Sequence, residues 1–545
     1  MAEAGPSKSS EEEPAAAPRP LKQRRITRAC DSCHRRGIKA SEWTCVTKDA
    51  AGCESCQSYG EPCTSDRPVK RRGPRKGTVA AGAASAVAAA SASPLQTPGS
   101  PLPTTWEPPR AARSPAIPML LEFYRQLIYP FHPLMIWPPF LDRVGAEEHL
   151  RNRAFCATVM SACALASARL RQCGPLFFQS TDFDPILPAD DSPEAFHQAA
   201  KDSIWLRPGA TFTIDELRAT IILNITCIQK GDFTEMRFWV GAYSTMSAVM
   251  NFHDETLWPA DLTEVDKEER RRLVHLAYQH SVYTAIVTGT PLEFRERQLH
   301  VSYPSEVDDE ALLPLKEGEK REPLPSGRDC WMHGWNRTVD LYRILEHAVD
   351  QLRNTQGAPN TVTVSLIAKT DTSAYTALLT ALYAELPAWA RTFHDTTLDH
   401  SKHILNFQVV NILITMQNAR IISTCSNGFT TEEGVAVAKE LMDSLTRVPH
   451  EYLLANSVPV FHQLAGIGGI LGKYTTQSAS YETLLGVRSI IEGMSELLST
   501  LHTDPLSATG KAHTTLTAWC HVMLYMTLFR YSSLSDSPAP DTLRE

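Results

Sequence analysis

The sequence predicts an all-α chain: a large helical body behind a small cysteine-rich head. Three observations predict it. From about Pro118 onward, apolar residues recur at helical spacing in one segment after another. Sustained alternation of β-branched residues is nearly absent over the same stretch. Ahead of it, six of the 13 cysteines fall between Cys30 and Cys63. The 545 residues allow roughly three domains and a sizeable core. An 8% aromatic content excludes a wholly disordered or collagen-like chain.

Residues 1–20 are rich in Ala, Glu, Pro and Ser and are expected to be disordered. Their lack of an apolar stretch argues against a signal peptide, so secretion is not expected. Residues 21–76 are basic and cysteine-rich, and residues 77–115 read as a disordered Ala/Ser/Pro linker without heptads. The body is expected over 116–531, followed by a disordered tail at 532–545. Charge divides the chain in the same way. Residues 1–80 carry 16 Lys and Arg against 10 Asp and Glu, while the whole chain sums to −8. A basic head on an acidic body points to one segment that meets a polyanion.

Within the body the clearest helix runs over 214–228. Thr213 and Glu216 form a capping box, Ile214, Leu217, Ile221, Ile225 and Ile228 line one face, and Gly231 follows the end. Further helices are expected near 152–170, 234–251, 264–288, 339–354, 373–386, 400–424, 431–445, 481–500 and 512–531. The run from Phe155 to Leu170 holds serines and Arg169 between Arg153 and Arg171, so it reads as a buried helix and not as a membrane span. Lys267 to Arg272 reads as a solvated first helical turn, and His253-Asp254 as a turn. Gly466 to Gly472 follows no strand, so close helix packing accounts for it better than a dinucleotide loop. The seven scattered cysteines, Cys156 to Cys520, read as small core residues. Neither a G-x-S-x-G elbow nor a Walker phosphate loop occurs, and no enzymatic activity is expected.

The cysteine cluster reads Cys30-x2-Cys33-x11-Cys45-x7-Cys53-x2-Cys56-x6-Cys63. Two C-x-x-C pairs in one short polar segment are a strong metal signature, because both sulfurs of a pair can bind one ion from a single turn. Six thiolates cannot fill two separate four-coordinate sites. They can if two of them bridge, which allows two Zn²⁺. A redox C-x-x-C is disfavoured because no βαβ pattern surrounds either pair.

The text RRITRACDSCHRRGIK…CESCQSYGEPCTSDRPVKRRGP resembles the binuclear zinc cluster of fungal transcription factors. The resemblance implies that Cys30 and Cys53 bridge two zinc ions. Cys33 and Cys45 would complete one site, and Cys56 and Cys63 the other. It also implies that basic residues after the second cysteine enter the major groove and read CGG-like triplets. Arg35, Arg36 and Lys39 are then the candidate readers, since Gly37 stands where many relatives carry a base-contacting Lys. Arginine can bond guanine O6 and N7 bidentately. Arg24, Arg25, Arg28, Lys70, Arg71, Arg72, Arg75 and Lys76 can lie along phosphates. The Lys70–Lys76 run also fits a nuclear import signal, and both roles can hold. The sequence departs from the family spacing by five residues: excising Ala40–Thr44 leaves six between Cys33 and Cys45, as the family has.

Residues 118–531 resemble the all-α fungal-specific transcription factor regulatory domain. The residues that carry this are Phe252-His253-Asp254, Glu269-Arg270-Arg271-Arg272, Gly289-Thr290-Pro291 and Asp308-Asp309-Glu310. Together the two resemblances imply a nuclear, sequence-specific DNA-binding regulator. Its partners would be double-stranded DNA, a second copy through the helical body, co-regulators or a small-molecule effector, and no membrane. The alternative is an interaction protein whose DNA reading is weakened by the Ala40–Thr44 insertion.

Overall fold

The structure is a computed structural model. It describes residues 30–31, 47–49, 52–58, 60, 63–64, 106–177, 189–207, 209–314, 329–356, 372–392, 400–426, 431–456, 458–478, 480–501 and 508–535. The expected disordered stretch 1–20 lies outside these, as do 77–105 of the expected 77–115 linker and 536–545 of the expected 532–545 tail. Residues 106–115 instead include a 3-10 turn at Arg110–Arg113 with Ala112 buried, and 532–535 continue the last helix. The chain divides into two units, 1–100 and 101–545.

The first unit holds β1 (Thr47–Asp49) and β2 (Gly52–Cys53), paired antiparallel with Thr47 opposite Cys53, and α1 (Glu54–Ser58). The second unit is all-α. It runs through α2 (Ile117–Phe123), α3 (Trp137–Gly145), α4 (Arg153–Phe177), α5 (Pro193–Asp202), α6 (Ile214–Lys230), α7 (Phe233–Val249) and α8 (Glu264–Thr288). It continues with α9 (Trp331–Gln356), α10 (Thr372–Glu385), α11 (His400–Ser426), α12 (Thr431–Leu445) and α13 (His450–Asn456). Last come α14 (Val458–Ser478), α15 (Tyr481–Leu501) and α16 (Ala508–Ser535). One continuous apolar core joins them, in which α4 packs on α5 and α6, α9 on α11, and α15 on α16.

The helix ends follow local chemistry. In α6 the Thr213 N–H donates to Glu216 Oε2 at 2.9 Å, and Gly231 ends the helix at φ 67°, where a side chain would be strained. Thr263 and Asp266 box the start of α8 in the same way, and Gly289 ends it at φ 68°. The helices α2, α3 and α5 were not expected, because prolines interrupt their text. Pro118, Pro138 and Pro193 sit in the first turn, where a missing N–H costs nothing.

The glycines of α14 do pack closely. A Cβ at Gly468 would stand 2.4 Å from the Leu516 side chain, and one at Gly472 would stand 2.4 Å from the Trp519 ring. Both contacts are to α16. Of the scattered cysteines, Cys156, Cys163 and Cys227 are buried, while Cys330 and Cys520 are half-buried.

The charge run at the start of α8 is where the expectation fails. Only Lys267 behaves as a solvated residue, pairing with exposed Glu264 at 2.8 Å. Arg272 is fully buried and Glu268 is 1% exposed. Arg272 donates from Nε to Glu268 Oε1 at 3.1 Å, and from Nη1 to Asp309 Oδ1 at 2.8 Å and to the Tyr129 hydroxyl at 2.9 Å. Asp309 Oδ2 accepts the Tyr129 hydroxyl and the Trp137 N–H, and Glu268 accepts the Ser305 N–H. Burial works against the Arg272 charge, but Tyr129, Asp309 and Glu268 outweigh it and its pKa rises. Beside this group, buried Arg218 of α6 bonds Asp215 Oδ1 at 2.7 Å, the Leu134 carbonyl at 2.8 Å and Glu269. Glu269 in turn accepts the Ile136 N–H at 2.9 Å. Arg271 pairs with Glu255, whose other oxygen accepts the Ser302 N–H. The run faces the loops at 129–137 and 302–312 because those loops carry otherwise unsatisfied N–H groups and the acidic Asp309.

Buried His275 and His280, with half-buried His462, give the body a pH response. Desolvation holds His275, His280 and His462 at about 4 each. Each therefore stays neutral when folded, while the unfolded chain takes up a proton near pH 6.5. Their stabilising contribution is complete above that pH and is lost as pH falls towards 4. Urea unfolding at pH 7 and pH 5 should show a loss of about 2 kcal/mol per histidine, and His275→Gln should shrink the loss. Carboxylates with lowered pKa values act only below ~4.5, so they do not mask it. A second expectation concerns α14. Gly472→Val should destabilise by about 1–3 kcal/mol through overpacking against Trp519. Gly466→Ala, with nothing within 4 Å of its new Cβ, should stabilise by roughly 0.5–1 kcal/mol. Thermal unfolding of both variants checks the contrast.

Candidate metal centre

Four of the six clustered cysteines come together. The ligand sulfurs of Cys30, Cys53, Cys56 and Cys63 all lie within 4.8 Å of one another. Cys30, Cys53 and Cys56 are buried, at 5%, 0% and 1% exposure, and Cys63 is half-buried. They form a sulfur cluster separate from the core of the helical body.

Short local elements place them. The β1–β2 pair ends at Cys53, the chain enters α1 at once, and Cys56 sits one turn on. Because α1 has only five residues, the next cysteine can return to the same point. Gly60 makes that return, at φ 66° with its N–H on the Gln57 carbonyl at 3.2 Å. The Cys53 N–H then donates to Cys63 Sγ at 3.4 Å. At the far side, the Asp31 N–H donates to the Thr64 carbonyl at 2.8 Å, which ties the residue after Cys30 to the residue after Cys63.

The donor set fits a tetrahedral thiophilic ion. Cys30 Sγ lies 3.8 Å from Cys53 Sγ and 3.5 Å from Cys56 Sγ. A tetrahedron with Zn–S bonds of ~2.3 Å has edges of ~3.8 Å, whereas a disulfide needs ~2.05 Å. The four sulfurs can therefore hold a metal ion and are not disulfide-bonded. The Cys53 N–H favours the Cys63 thiolate, but burial and the neighbouring Cys30 and Cys53 sulfurs prevail and the Cys63 thiol is raised. A cation among the sulfurs would reverse that balance and release protons. A four-thiolate set leaves no open position for substrate water, which is the pattern of a structural site.

The remaining candidates, Cys33, Cys45, Arg28, Arg35, Arg36, Lys39, Lys70, Arg71 and Arg72, lie outside the described residues, as does the Ala40–Thr44 insertion. In the helical body, sequence reading passed over the ion-pair layer around Arg272 and a polar cavity near Arg169. Each had a signal. Glu268 and Arg272 are four apart on one helix face, and Arg169 is the lone charge inside an otherwise apolar run.

Residues 140–399 match the model of the fungal specific transcription factor domain. The match supports the regulatory-domain resemblance and indicates a transcription regulator of fungal type rather than an enzyme. It begins in α3 and includes the α8 charge run with its Asp309 partner, and it does not extend to the clustered cysteines Cys30 to Cys63. No curated protein and no solved structure matches the chain. Among the described residues, no helix is long and apolar enough to cross a membrane.

The site yields a direct expectation for metal. Zinc uptake should release protons, so apparent affinity should fall as pH drops from 8 to 6. Cys53→Ser, in a fully buried ligand, should weaken binding more than Cys63→Ser. Competition with a chromophoric chelator at both pH values measures this, and equal affinities for the two variants would contradict it.

Proposed function

We propose that the chain is a nuclear, sequence-specific DNA-binding transcription regulator of fungal type. In this reading, residues 21–76 form a cluster of two Zn²⁺ and residues 116–531 form the regulatory body. The observation that carries it is the four-cysteine set. Cys30, Cys53, Cys56 and Cys63 are the ligands that the resemblance implies for one of the two ions, with Cys30 and Cys53 as the bridges. Cys33 and Cys45 would supply the other two sulfurs of the second ion. Bound zinc would provide the cross-links that a segment with almost no apolar core lacks. Arg35, Arg36 and Lys39 would then face base edges, and Arg28, Lys70, Arg71 and Arg72 would contact phosphates. The helical body would carry any homodimer and the contacts to co-regulators.

One observation favours a second reading, in which the protein acts mainly through partners. Ala40–Thr44 lengthens the loop between Cys33 and Cys45 from 6 to 11 residues. The added closure entropy is only about 0.5 kcal/mol. This is small beside the ~10–16 kcal/mol of structural zinc sites. Metal loading should survive. The segment bearing Arg35, Arg36 and Lys39 would be held less firmly at its C-terminal end, which weakens preorganised base reading.

In vitro selection of DNA by the zinc-loaded full chain tests the function. Enrichment of a CGG-like triplet, lost in chelator, is expected. Enrichment of no sequence, with binding that falls steeply with salt, would favour the partner-only reading. Deleting Ala40–Thr44 should leave two zinc ions bound and raise the ratio of specific to non-specific affinity at matched salt.

A further inference from the structure

We propose that the helical body binds a small organic monocarboxylate in a cavity enclosed by α4, α6, α8, α9, α11 and the junction of α13 and α14. The cavity offers about 70 Å³ to the centres of water-sized molecules. One water needs only ~10–15 Å³ of such space, so the void suits a compact organic ligand. About half of its wall is apolar, with Leu127, Ile128, Ile225, Ile228 and Val460 among the lining side chains.

Its polar groups converge and are left wanting partners. Gln279 and His280, each 7% exposed, line the cavity, as does half-buried His132. Gln279 Nε2, His280 Nδ1 and His132 Nδ1 make no hydrogen bond within the protein. Buried donors of this kind are costly unless something satisfies them. The two imidazoles lie 5.4 Å apart between centroids, on α8 and on the turn after Ile128. Burial, and for His132 also His280 and Arg169, holds both imidazoles in the neutral form near pH 7. Each can therefore donate from one nitrogen.

Charge selects the ligand class. Among the described residues, Arg169 is the one formally charged side chain in the lining, and no Asp or Glu lines the cavity. Its guanidinium is 4% exposed and is fixed by Nη2 donating to the Leu454 carbonyl at 3.2 Å and the Ala455 carbonyl at 2.8 Å. A single carboxylate would meet Arg169, the Gln279 amide and two imidazole donors, with its tail on the aliphatic wall. A cation would face the Arg169 guanidinium. A dicarboxylate would bury a second charge without a partner.

The proposal is independent of zinc and DNA binding; only an effect of the ligand on DNA binding would rest on the regulatory reading. The test therefore reads ligand binding itself. Saturation-transfer NMR and thermal unfolding of the full chain would be measured with hexanoate and benzoate, with hexylamine and hexan-1-ol as controls. Both acids should bind and raise the unfolding midpoint, and the amine and the alcohol should not. Gln279→Leu should weaken hexanoate about tenfold by removing a charge-assisted donor. Val460→Trp, which fills the cavity, should abolish binding. If Val460→Trp does not fold, the Gln279→Leu shift decides. Absence of binding by both acids, equal binding of hexylamine, or unchanged affinity in a folded Val460→Trp or Gln279→Leu chain would overturn the proposal.

Discussion

The helical body is organised around a buried layer of paired charge. Arg272 of α8 sits with no solvent exposure between Glu268, Asp309 and the Tyr129 hydroxyl. One helix position thus joins the chain near residue 129 to the loop near residue 309. Arg218 repeats the device one layer on, joining α6, the Leu134 carbonyl and Glu269. The carboxylates do a second task, because Glu268 and Glu269 accept the loop N–H groups of Ser305 and Ile136, and Asp309 accepts the N–H of Trp137 at the start of α3. Loops without regular structure would otherwise bury those donors unpaired. Replacing such a layer with apolar residues could preserve stability, but removing a single partner leaves a charge stranded in the interior.

That layer also explains what the sequence shows and what it hides. Helices with caps at both ends were legible: Thr213, Glu216 and Gly231 bound α6, and Thr263, Asp266 and Gly289 bound α8. The all-α class followed from their periodicity. Proline-led helices such as α5 were missed, although Ser192 caps its first turn by accepting from the Ala195 N–H at 3.2 Å. The α8 charges were misread because local sequence cannot tell a solvated ionic turn from a buried one. The difference lies in Asp309 and Tyr129, both far away in the chain. Spacing does place Glu268 and Arg272 on one face, and that was the usable hint.

The cysteine head follows the opposite logic. The approach of four of its six cysteines was legible, because a metal-ligand pattern constrains residue type and spacing together. Two strand residues, a five-residue helix and a left-handed Gly60 suffice to return Cys63 to Cys53. Charge divides between the parts, with the basic residues at the head and the acidic excess on the body. In the body, the charges around Arg272 and Arg218 are paired and enclosed. In the head the charges remain in the sequence as a basic cluster with few acids among them, which is the composition a polyanion would attract.

A double-mutant cycle on Arg272 and Asp309 tests this picture of the body most directly. Arg272→Met and Asp309→Leu should each cost about 3–5 kcal/mol, because each strands the other's charge. The double variant should cost little more than either single one, a coupling of at least ~2 kcal/mol in urea unfolding of the full chain. Additive losses, with coupling near zero, would show that the two charges are solvated independently and that the buried layer does not hold the body together.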